Sequence, residues 1–241
     1  MAQTRLGKLM DEICAQYPRT IWGACKLDFS PYKGKYKYCV VAVTTYAKFL
    51  TVDTCKEPEF YENYTEAFRV RNDIRTRIVR ALELAGIDWY IPKIRADFDA
   101  CLCHNINFKE AARRAGLGWI GKNTLLVCPE LDGPRLNLAG FLTDEEVEIG
   151  VPVEREFCGE CDACVRHCPF RTMNNVAWYP GVTREEQIQY RKCHEGRNRA
   201  RKVLHHKMGC GRCMMSCPVG TPQWDSTEWG RWKKETADHA V

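Results

Sequence analysis

No run of apolar residues in this chain approaches the roughly 18 that a membrane-spanning helix requires. Its first residues, M-A-Q-T-R-L-G-K-L-M-D-E, lack the apolar core of a signal peptide. A cytoplasmic protein with no membrane partner is therefore expected. The composition also lacks the signature of disorder: of 241 residues, 45% are hydrophobic and 28% charged, the balance of a folded globular chain. Charge of one sign is not in large excess either, the net value being only +5. One stretch is an exception, with eight Lys or Arg against three Glu between Arg184 and Lys207. Such a stretch suits an acidic redox partner, a phosphate-bearing cofactor or RNA, and equally a solvated basic helix, the reading preferred here.

Cysteine is what the chain has in abundance. Fifteen of them, an odd number, in a reducing compartment exclude a disulfide framework and favour metal or redox chemistry. Eight fall in two clusters and the segment between them. Cys158, Cys161, Cys164 and Cys168, followed by Pro169, match the C-x2-C-x2-C-x3-C-P run of two-cluster ferredoxins, whose fourth cysteine ligates the other cluster. Cys210, Cys213 and Cys217, followed by Pro218, form a C-x2-C-x3-C-P run that lacks its leading cysteine, and Cys193 alone lies between the two motifs to supply it. The expected ligand sets are Cys158, Cys161, Cys164 and Cys217 for one [4Fe-4S] cluster, and Cys168, Cys193, Cys210 and Cys213 for the other. Two zinc sites are the alternative, but zinc requires neither the three-cysteine run nor the trailing prolines. Most remaining cysteines read as small buried hydrophobes, with Cys101 and Cys103 the pair that could share one pocket.

The chain changes character near residue 150, so an α/β domain over 1–150 and a double-cluster module over 151–241 are expected, an α+β protein overall. Thr4 to Tyr17 reads as an amphipathic helix stopped by Pro18, and Tyr38 to Tyr46 as a strand. Apolar residues at helical spacing from about Thr65 predict a long helix that Gly86 ends, and Phe108 to Ala115 a short one. The runs T-L-L-V and L-N-L-A-G-F-L flank the turn Asp132-Gly133-Pro134 and predict an antiparallel hairpin. Trp224, Trp229 and Trp232, beside Arg231, Lys233 and Lys234, suit either base stacking or packing of the tail onto the body.

Between helix and hairpin stands A-G-L-G-W-I-G-K-N-T-L-L-V, Ala115 to Val127. It is not the dinucleotide fingerprint, which follows a strand and opens a helix. Gly116, Gly118 and Gly121 would let backbone amides approach a bulky ligand, with Lys122 and Asn123 as donors; a glycine-rich turn inside a core fits the same residues.

Together with both cysteine motifs and F-L-T-D at Phe141 to Asp144, this segment resembles the epoxyqueuosine reductase family, corrinoid and iron–sulfur enzymes related to reductive dehalogenases. The resemblance implies a flavin-reductase-like α/β domain that holds cobalamin, bound base-off, above a two-cluster ferredoxin-like module. It casts Gly116, Leu117, Gly118, Trp119, Gly121, Lys122, Asn123 and Thr124 as cofactor-binding residues. It also implies reductive chemistry, with a low-potential donor such as ferredoxin or flavodoxin loading the clusters. Two departures matter. The helical-repeat domain with which the family holds tRNA is not found here, so a nucleic-acid partner is not expected. The family's proton-donating Asp falls by ungapped counting on Leu102, with Asp97 and Asp99 nearby. The expected proton donor is His104, for its intrinsic pKa and its place before the glycine-rich segment, with Asp97, Asp99, Tyr46 and Tyr90 as alternatives; a lone His is also commonly a structural hydrogen-bonding residue. The expected activity is reduction of a small molecule at cobalamin. An electron-transfer protein that reactivates the corrinoid of another protein, or an epoxyqueuosine reductase acting on tRNA, are the other readings.

Overall fold

Thr4 begins the first helix by accepting the backbone N–H of Gly7 on its hydroxyl, and α1 runs over Arg5–Cys14. Its apolar stripe, Leu6, Met10 and Ile13, is buried. The structure is a computed structural model and describes residues 3–93, 104–203 and 210–237. Asp97, Asp99, Cys101, Leu102 and Cys103 lie outside the described residues.

Three antiparallel strands form the main sheet in the order β1 (Thr20–Lys26), β2 (Tyr38–Thr45), β5 (Leu136–Thr143). The central run Y-C-V-V-A-V-T-T is apolar on both faces because both are covered, as an interior strand requires. Val40 and Ala42 pack towards α1 and the long helix α2 (Glu57–Leu84), while Cys39, Val41 and Val43 pack towards α3 (Phe108–Arg114). Helix α2 starts eight residues before the expected Thr65, with a proline in its first turn, and Gly86 follows its end at φ 64°, the left-handed conformation that suits glycine.

The hairpin expectation is corrected. Leu126–Val127 (β4) pairs with Trp119–Ile120 (β3) in a separate two-stranded sheet, whereas β5 pairs with β2 along its whole length, from Tyr38↔Thr143 to Thr45↔Leu136. The turn at Gly133 closes only the bridge Cys128↔Gly133. An eight-residue apolar strand matches the open edge of eight-residue β2; a two-residue strand cannot.

Beyond residue 150 the elements are short: α4 (Ala163–Arg166), α5 (Arg184–Gln187), α6 (Tyr190–Val203), α7 (Arg212–Met215) and α8 (Thr227–Ala237). Helix α6 carries the basic stretch, with Arg191, Lys192, Arg197, Arg199, Arg201 and Lys202 all exposed, as a solvated basic helix should. Helix α8 packs the tail down. Trp229 is buried among Trp119, Phe157 and Trp232, so the tail tryptophans serve packing of the tail onto the body.

Candidate functional site

The two short helices α4 and α7 each lift a cysteine, Cys164 and Cys213, from a loop that holds the others. Cys217 lies within electrostatic reach of Cys161 and Cys164, and Cys158 within reach of Cys217. Cys213 lies within reach of Cys210, Cys193 and Cys168, and also of Cys164 from the first set. Cys168, Cys193, Cys210 and Cys213 line one cavity. The fold thus gathers both predicted ligand sets and sets them side by side. Among the described residues, no three His, Cys, Asp or Glu are grouped as a site for a single metal ion.

The sulfur environments suit iron–sulfur clusters. Burial pushes the thiols of Cys158 and Cys217 up to about 12, surroundings unfavourable to a bare thiolate and favourable to sulfur that shares its charge with a metal. Hydrogen bonds from Thr172 outweigh burial at Cys168 and hold its thiol below the ordinary value. Thr172 supplies its backbone N–H at 3.5 Å and sets its hydroxyl 3.3 Å from the sulfur. Cys161 is exposed, so the first set reaches the surface, while the second lines an open cavity of about 350 Å³ that Tyr46, Leu125 and Leu136 also line.

Sequence reasoning missed Arg135. It is 1% exposed, and its guanidinium donates to the carbonyls of Leu50, Met215 and Cys217 at 2.9, 2.8 and 3.1 Å, and to those of Asp132 and Val219. It stacks over Phe49 and joins the body to the last cysteine loop. Nothing in its local sequence announces this, since the carbonyls it serves are mostly more than eighty residues away.

The glycine-rich segment lies against the cluster loops. The Trp119 indole, 0% exposed, donates to Cys158 Sγ at 3.4 Å. Lys122 Nζ donates to the carbonyls of Gly159 and Cys161 at 2.8 and 3.2 Å, and the Asn123 amide to that of Cys213 at 3.3 Å. A Cβ on Gly116 would stand 2.8 Å from the Val151 carbonyl oxygen and one on Gly118 2.1 Å from that of Val127. One on Gly121 would stand 2.9 Å from Asn123 Oδ1 and 3.6 Å from Cys158 Sγ. These glycines admit the chain's own backbone and the first cysteine loop, which is the turn-inside-a-core reading. Leu117 is buried in the core against α3, and only Asn123 and Thr124 of the predicted cofactor set line the cavity beside the second cysteine set.

A second cavity, of about 650 Å³, follows β5 from Asn137 to Gly140 and is walled by α2 and the start of α3. His104 stands on it, its pKa lowered by partial burial of the ring and by the charge of Lys109. Tyr46 is buried in the first cavity, and burial holds its phenol well above the ordinary range. Tyr90 stacks on Tyr36 and bridges Leu142 of β5, and it lines neither cavity.

Comparison with known proteins bears on these features. Residues 157–220 match the family model of a 4Fe-4S double cluster binding domain. Over 114 residues, 44% of this chain and 28% of the relative, the sequence is 34% identical to an epoxyqueuosine reductase of Listeria monocytogenes. Over 143 residues, 55% of this chain and 40% of the relative, it is 33% identical to one of Gloeobacter violaceus. The chain therefore spans less than half the length of these relatives. Its fold is shared with an epoxyqueuosine reductase crystallised with an epoxyqueuosine-modified tRNA-Tyr stem loop (TM-score 0.60, 16% identity, 91% of this chain and 66% of that one). It is shared also with a reductive dehalogenase whose structure suggests a mechanism for B12-dependent dehalogenation (TM-score 0.64, 17% identity, 99% of this chain and 35% of that one). Both expected ligand sets lie inside the matched double-cluster domain, and the sequence is similar over about half its length to epoxyqueuosine reductases.

Proposed function

We propose that this protein is an iron–sulfur oxidoreductase that carries low-potential electrons inward through two [4Fe-4S] clusters to a corrinoid held along β5. The observation that carries this reading is the asymmetry of the two cysteine sets. One exposes Cys161, while in the other Cys168 is buried and all four cysteines line the cavity beside Tyr46 and Leu136. A donor such as ferredoxin or flavodoxin would deliver electrons at the exposed end. The residues along the groove fit a corrinoid: apolar side chains from β5 and α3 form the walls, and Asn137 Nδ2 is a buried donor without a partner, suited to an amide or phosphate oxygen. Bound there, cobalamin would supply the reducing chemistry, as the B12-dependent neighbour suggests. The chain's own residues would then have three tasks. Tyr46 and Leu136 would keep water from the inner end. Trp119, Lys122 and Arg135 would hold the cluster loops still, and His104 would deliver a proton at the open end. The substrate on this reading is a small molecule.

A second reading, reduction of epoxyqueuosine in tRNA, is favoured by the names of the curated relatives and by the exposed basic face of α6. One preparation tests both. Anaerobically reconstituted protein should carry about eight iron and eight sulfide, bind cobalamin saturably in an equilibrium titration, and bind tRNA weakly, with strong salt dependence and no preference for the anticodon. Iron without cobalamin affinity would leave an electron carrier. Tight binding confined to tRNAs that carry the epoxyqueuosine modification, at physiological salt, would replace the small-molecule reading with the tRNA one.

A further inference from the structure

The cavity along β5 carries groups that the reading above does not use. Arg71 and Arg75 stand one turn apart on α2 and both line it, as does Lys109 from the start of α3. Like charges at this helical spacing repel, and the proximity of Arg75 adds to burial in lowering the pKa of Arg71. None of the three has a carboxylate ion partner among the described residues. Arg71 lies over the ring of Phe68 at 4.1 Å, and Lys109 donates to the Thr124 carbonyl. Across from them is the buried, unpaired amide donor of Asn137. Four other cations withdrawn from solvent have partners: Arg113 and Arg114 share Glu110, and Lys122 and Arg135 are satisfied by carbonyls. The half-buried Arg71 guanidinium and the buried Asn137 amide N–H cost free energy unless something in the cavity accepts from them, and Arg75 and Lys109 add positive charge beside them.

We propose that this cavity binds the phosphate or carboxylate group of an organic anion, with Arg71, Arg75, Lys109 and Asn137 as its donors and the rings of Phe68 and Phe108 against its apolar part. The inference goes beyond the electron-transfer reading, because three cations beside the unsatisfied Asn137 amide suit an anion whether or not a corrinoid binds. Two sources supply this chemistry: the nucleotide phosphate of a corrinoid, or the anionic group of a substrate.

The test is isothermal titration of the full-length, cluster-loaded protein with benzoate, phenyl phosphate, cyanocobalamin and dicyanocobinamide, the last lacking the nucleotide loop and its phosphate. Each probe is measured on wild type, on the double variant R71Q/R75Q and on Lys109→Gln, with iron content reporting that each variant is folded. Loss of charge-assisted hydrogen bonds should weaken the anionic ligand by about tenfold or more. If the phosphate of the corrinoid is the anion, cyanocobalamin loses affinity in the variants and dicyanocobinamide does not. If the anion belongs to the substrate, benzoate or phenyl phosphate weakens and cyanocobalamin is unchanged. The proposal is overturned if no anionic probe binds wild type saturably, or if every affinity is the same in the variants. Failure of cobalamin to bind would sink the corrinoid reading alone and leave the benzoate and phenyl phosphate arms to decide this one.

Discussion

The indole N–H of Trp119 points at the sulfur of Cys158, 3.4 Å away, from inside a group of rings that includes Phe157, Trp224 and Trp229. Hydrogen bonds to cluster sulfurs raise reduction potentials. Trp119→Phe should therefore make one cluster harder to reduce and leave the other unchanged, as followed by redox titration with electron paramagnetic resonance. The smaller ring also leaves a void, with a stability loss of about 1–3 kcal/mol. An unchanged potential with lowered stability would mean that the indole only fills space.

Cys193→Ala should leave about half the iron. The two ligand sets are separate, and Cys193 lies with Cys168 and Cys213 in a packed group that excludes Cys158. Iron analysis of the anaerobically reconstituted variant decides this, and full iron content would remove Cys193 from the ligand set.

Gly118→Ala places a methyl group 2.1 Å from the Val127 carbonyl oxygen, so the small sheet of β3 and β4 must part. That sheet carries Trp119. A loss above about 2 kcal/mol is expected in urea denaturation, together with loss of the first cluster. Intact clusters with cobalamin affinity alone abolished would instead show that Gly118 faces the corrinoid.

Burial, and then the charge of Arg184, pull the pKa of Lys109 down to about 8. In the unfolded chain it returns to about 10.4. Between these values the unfolded state binds the extra proton, so stability rises with pH across that window, by on the order of 3 kcal/mol from this group. Comparing urea midpoints of wild type and Lys109→Met from pH 7 to 10.5 isolates the effect. The wild-type curve should rise relative to the variant, and parallel curves would refute it.

What the sequence disclosed most fully was the cluster chemistry, because two- and three-residue gaps between cysteines dictate local backbone geometry and require no knowledge of the rest of the fold. Cys193 followed by elimination. Strand β2 and helices α1 and α3 were legible from their periodicity. Strand β1, T-I-W-G-A-C-K, was not, since it lacks alternation and contains a glycine. The partner of β5 was misjudged because turn chemistry at Asp132-Gly133 is local, whereas the demand of β2 for a second neighbour comes from residues a hundred positions away. The same distance hid Arg135 and the convergence of Arg71, Arg75, Lys109 and Asn137. Each of these residues reads locally as an ordinary polar position. Glycines in the A-G-L-G-W-I-G stretch signalled close approach correctly, but not what approaches.

Arg135 draws its hydrogen-bond acceptors from both sides of the expected domain boundary: Leu50 and Asp132 from the α/β body, Met215, Cys217 and Val219 from the last cysteine loop. Removing the order of that loop would strand a buried guanidinium, at a cost comparable to much of the stability of a domain. Order in the last cysteine loop and consolidation of the core are thus coupled through one side chain. Whatever disorders that loop, loss of a bound cluster included, would then lower the stability of the core as well as of the cysteine module.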